Sequence, residues 1–69
     1  MNTRAFALVN DLELVIPRYQ RARDAFQQAT AALNHPGLPS KRLLRRKQEA
    51  FGEVVVRVEE VLAVIERHR

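Results

Sequence analysis

His35-Pro36-Gly37-Leu38-Pro39-Ser40 cannot continue a helix, and it separates two segments that each read as one. Before it, apolar residues recur in steps of three and four: Ala5, Leu8, Leu12, Val15, Tyr19, Ala22, Phe26, Ala29, Leu33. After it the series is Leu44, Lys47, Phe51, Val54, Val58, Val61, Ile65, with one lysine intruding. A sustained seven-residue apolar repeat is the seam of a helix that packs lengthwise on another helix. The break predicts a reversal. Pro36 steers His35 out of the α region, Gly37 supplies a positive φ, and Ser40 caps the second helix.

The expected fold is all-α: one domain spanning 1–69, with helix 1 about 3–34, a loop at 35–39, and helix 2 about 40–68. So short a loop makes the helices antiparallel neighbours. At 1.5 Å per residue each arm is on the order of 45 Å long. Asn2 or Thr3 is the expected cap of the first helix. Pro17 does not divide that helix, because Ile16 offers no capping oxygen and the repeat keeps its phase through the proline. Its ring falls on the outward face, where it predicts a kink rather than a break. The β-branched run Val54-Val55-Val56-Arg57-Val58 suits a strand, but no second strand candidate exists to pair with it.

A chain of 69 residues has little core. Below roughly 70–80 residues a single core rarely supplies more than about 3–5 kcal/mol, and small proteins add disulfides, metals or self-association. Cysteine is absent, and His35 and His68 fall at opposite ends of the hairpin, so no metal site and no cofactor are expected. Self-association remains. At the open end the apolar surface is wider than one partner helix can cover. Phe6, Val9, Leu12 and Ile16 on the first helix, and Val55, Val58, Leu62 and Ile65 on the second, are the expected interface of a homodimer. The dimer would be a four-helix bundle.

Lys41-Arg42-Leu43-Leu44-Arg45-Arg46-Lys47 carries five positive charges in seven residues and no acid. It opens a helix, where the backbone dipole is already positive and each cation is misplaced by about 0.3–1 kcal/mol. Three offsets compete. The arginines can bond the last carbonyls of the first helix, Glu49 can pair with Arg45 and Arg46, or an acidic partner can bind. Lys41, Arg42, Arg45 and Arg46, with Leu38 beside them, are the candidate partner-binding residues. A protein is the expected partner. Nucleic acid is the alternative, weakened by the absence of a base-stacking aromatic platform and by five downstream glutamates.

No catalytic residues are expected. Ser40 is the only serine and reads as a cap, and two glycines make no phosphate loop. Asp11 and Glu13 read as surface acids. Tyr19 and Lys47 are polar exceptions in the seam, their apolar stems packing while the polar ends reach water. No apolar run approaches the ~20 residues of a membrane span, and the first residues lack the pattern of a secretory signal. A cytoplasmic protein is expected.

In size, helix count and lack of catalytic residues the chain resembles the small helical hairpins encoded by phages and plasmids. Some of these, the Rop-like proteins, pair into four-helix bundles and bind RNA. Others are anti-activators that dock on a host regulator. The resemblance covers the whole chain but rests on no residue motif. It implies a non-catalytic inhibitor or regulator, with a Rop-like RNA- or DNA-binding dimer as the alternative. An assembly subunit or secretion-type chaperone is a further one.

Overall fold

Two helices, α1 (Thr3–Leu33) and α2 (Lys41–Arg67), make up a computed structural model that describes residues 3–34, Gly37 and 40–69. They pack on each other as a hairpin, and no strand occurs among the described residues. The molecule is a thin rod of 57 × 15 × 12 Å.

The caps obey the local chemistry. Ser40 is extended (φ −84°, ψ 152°), and its Oγ accepts a hydrogen bond from the Leu43 amide at 3.1 Å. That satisfies one of the orphan donors of the first turn. Gly37 has φ +155°, a conformation that side chains on Cβ disfavour. The remainder of the loop, with Leu38, lies outside the described residues, as does Asn2; Thr3 is already helical. α1 runs without interruption through Pro17, which is exposed.

The inward face of α1 is the one its sequence announces. Leu8, Leu12, Val15, Tyr19, Phe26 and Leu33 are half-buried, Ala22 and Ala29 are buried, and Ala5 alone of the series is exposed. In α2 the inward line differs from the expected seam. It runs Leu43, Lys47, Ala50, Val54, Arg57, Val61, Val64, His68, sharing only Lys47, Val54 and Val61 with the expected set. Leu44, Phe51, Val58 and Ile65 are exposed. The rotation has a physical reason. Ala22 and Ala29 leave room for α2 to approach on its Ala50–Val64 side, and in that orientation Glu60 reaches Arg18 of α1. The bulkier apolar row is left on one flank.

Little is buried as a result. Only Ala22, Ala29 and Val64 are buried among the described residues, and none of the large side chains is fully buried. A buried valine or leucine contributes roughly 1.5–3 kcal/mol, so the protomer draws on a small fraction of its apolar surface.

Candidate interaction surface

The two helices expose two unlike flanks. Helical spacing sets Glu53 and Glu60 on one side of the inward line of α2, within reach of Arg57 in that line, and Leu44, Phe51, Val55, Val58, Leu62 and Ile65 on the other.

The polar flank is held by ion pairs. Arg57 donates from Nε to Glu53 Oε1 at 2.8 Å and pairs with Glu60, while Arg18 of α1 reaches Glu60 Oε2 at 3.2 Å. Hydrogen bonds donated to Glu60 and then to Glu53 raise the Arg57 guanidinium above its ordinary value. The Arg57 hydrogen bond, and after it the pair with Arg18, outweigh an opposing desolvation and leave Glu60 below the ordinary glutamate range. A shallow recess of about 480 Å³ beside them is lined by Arg18, Arg21, Ala22, Ala25, Glu53 and Arg57. Its one lining acid, Glu53, is already engaged by Arg57.

The apolar flank carries two open grooves. One, of about 370 Å³, lies between Ile16, Tyr19 and Arg23 of α1 and Val58, Val61 and Leu62 of α2. The Arg23 guanidinium sits 5.9 Å from the centre of the Tyr19 ring, within cation–π range. The other, of about 430 Å³, is lined by Phe26, Leu44, Lys47, Gln48 and Phe51. There the rings of Phe26 and Phe51 are 5.7 Å apart and tilted by 52°, a favourable aromatic geometry. Phe51 remains 55% exposed and Leu62 58% exposed.

The structure brings together most, but not all, of the expected interface residues. Ile16, Val58 and Leu62 share a groove, and Val55 and Ile65 extend the same row. Leu12 faces α2 and is half-buried. Phe6 is exposed but stands about 200° round α1 from Leu8, off this flank. Val9 is exposed toward the outer edge. Leu44 and Phe51, which sequence reasoning placed in the seam, belong to the exposed row.

Compared with protein-family models, curated proteins and solved structures, the chain matches none.

Lys41, Arg42, Arg45 and Arg46 are all exposed. Among the described residues none of them has an ion pair, Glu49 pairs with none, and none bonds a carbonyl of α1. The two offsets internal to the fold are therefore not made there. Leu38 lies outside the described residues. No three His, Asp or Glu side chains among the described residues stand close enough to hold a metal, and no helix is long and apolar enough to cross a membrane.

Proposed function

We propose that this chain is a non-catalytic helical protein of the cytoplasm that forms a homodimer and acts by binding another protein, as an inhibitor or regulator. One observation carries the reading: a whole flank of large apolar side chains is exposed, while only three of the described residues are buried. Contiguous apolar surface of this extent marks protein contact. The face of the rod, 57 by 15 Å, offers on the order of 800 Å², about what each partner contributes to a standard interface. The cations at the start of α2, unpaired among the described residues, supply the second contact. They suit carboxylates on a target because arginine binds them in bidentate fashion.

Purification of the tagged chain from its host tests this. A specific protein should be retained, and light scattering should give twice the chain mass. A nucleic-acid partner is the second reading, favoured by the same cations. It predicts retention that is sensitive to nuclease and affinity that falls steeply with salt, by roughly 0.9 per phosphate contact on duplex DNA.

A further inference from the structure

Gly52 lies in the middle of α2, and a methyl group built on it would meet nothing within 4 Å. Glycine inside a helix is less stable than alanine, and no contact within the protomer requires it here. Its position suggests what does. One residue beyond Leu44, Phe51, Val58 and Ile65 runs a parallel line, Arg45, Gly52, Glu59, Glu66, forming the rim of the apolar row. Along this rim the charge changes from positive through neutral to negative. Arg45 and Glu59 have no ion pair among the described residues, and Glu66 has only an exposed contact with Arg69 at 3.2 Å.

Rim charges of this kind set helix orientation. Two such helices side by side in parallel would place Arg45 against Arg45 and Glu66 against Glu66. Reversing one of them places Arg45 against Glu66. We infer that α2 packs against α2 of a second copy in antiparallel orientation, about a two-fold axis near Val55. This rests on the dimer proposed above and adds which helix meets which, and in what direction. Val55 then meets its own copy on the axis, while Phe51 meets Val58 and Leu44 meets Ile65, these two contacts each occurring twice as a two-fold axis demands. The bare backbone at Gly52 lets the helices come close beside the axis. Arg45 becomes a dimer residue, which leaves Arg42 and Arg46, on the other side of the first turns of α2, for a target.

The chain has no cysteine, so introduced ones report without ambiguity. Val55→Cys should form a disulfide-linked dimer on mild oxidation. Leu44→Cys alone and Ile65→Cys alone should not, whereas an equal mixture of the two should cross-link to each other, since a disulfide needs Cβ atoms about 4 Å apart. Self-linkage at Leu44→Cys and Ile65→Cys would mean parallel helices and would overturn the inference. In sedimentation, Arg45→Glu or Glu66→Arg should weaken association several-fold and the double exchange should restore it. Tighter association of either single variant would count against the orientation. Gly52→Leu should stay helical by circular dichroism and dissociate more readily; unchanged association would remove Gly52 from the contact. A wild-type particle of one-chain mass would defeat this inference and the dimer together. A dimer that cross-links elsewhere would defeat this inference alone.

Discussion

His68 Nε2 lies 2.7 Å from Asp11 Oδ2, joining residues 57 positions apart and closing the open end of the hairpin. The imidazole is only 15% exposed, and Arg67 stands at 3.9 Å from the same carboxylate oxygen. His68 also ends α2, its amide bonding back to Val64 and Ile65, so one residue both terminates a helix and ties it to its neighbour. Asp11→Asn and His68→Ala should each lower stability by about 0.5–1.5 kcal/mol. The double variant should lose little more than either single one, because both remove the same contact. Denaturant melts of the four proteins measure this, and simple additivity would mean that the two side chains act independently.

The carboxylate of Glu60 gives the fold an acid-sensitive element. Because Arg57, and then Arg18, keep it ionised below its ordinary value of 4.5, its stabilising contribution is present above that pH. The contribution disappears as the pH falls through the lowered folded value. Glu60→Gln should therefore show a shallower loss of stability on acidification than the parent chain. Both groups are partly solvated, so the difference should shrink in high salt. Thermal melts across the acid range, at two salt concentrations, give the answer.

Thr30 Oγ1 is buried without a hydrogen-bond partner among the described residues. An unsatisfied buried hydroxyl costs roughly 1–3 kcal/mol, and valine has the same shape and a similar helix propensity. Thr30→Val should raise the unfolding midpoint. A lowered one would place an unseen partner at the hydroxyl.

Pro17 is the clearest case of a residue whose reading comes from its neighbours. Alone it argues for a break, but the unbroken step from Val15 to Tyr19 and the lack of a capping side chain at Ile16 argue for continuity, and α1 is continuous. Ser40 is equally legible, since a cap is a local matter of one hydroxyl and the amide of Leu43. The phase of α2 is not. Two rows, one through Leu44, Phe51 and Val58 and one through Ala50, Val54 and Val64, keep the same rhythm. Which of them faces α1 depends on how closely the alanines of α1 allow approach, a matter of packing. Asp11 reads as a mere surface acid for a related reason: its partner His68 is far off in sequence and reaches it only once the hairpin has closed.

Because the helix already runs through Pro17, replacing it should help. Proline has no amide to bond the Glu13 carbonyl, and its ring crowds the preceding turn, at a cost of up to about 3 kcal/mol in a helix interior. Pro17 is exposed, so Pro17→Ala disturbs no packing. The variant should be more stable by about 1–3 kcal/mol and more helical by circular dichroism. A loss of stability would show that the proline itself is needed to lay α1 along α2.

The last prediction separates structure from function in the basic run. No acid occupies the first turn of α2, and Arg42 and Arg46 make no ion pair among the described residues. Replacing both by glutamine relieves a misplaced charge in the first turn, worth about 0.3–1 kcal/mol at low salt. The fold should be as stable as the parent or slightly more so, and the dimer should be unchanged. Target retention should fail. If stability drops instead, these arginines hold the reversal together, and the cations of α2 are not a binding surface. If stability holds and the target is still retained, the apolar flank alone accounts for binding. A protein target should then dissociate on Ile16→Ala, which lies on the apolar flank outside the α2–α2 contact, at any salt concentration and with the dimer intact.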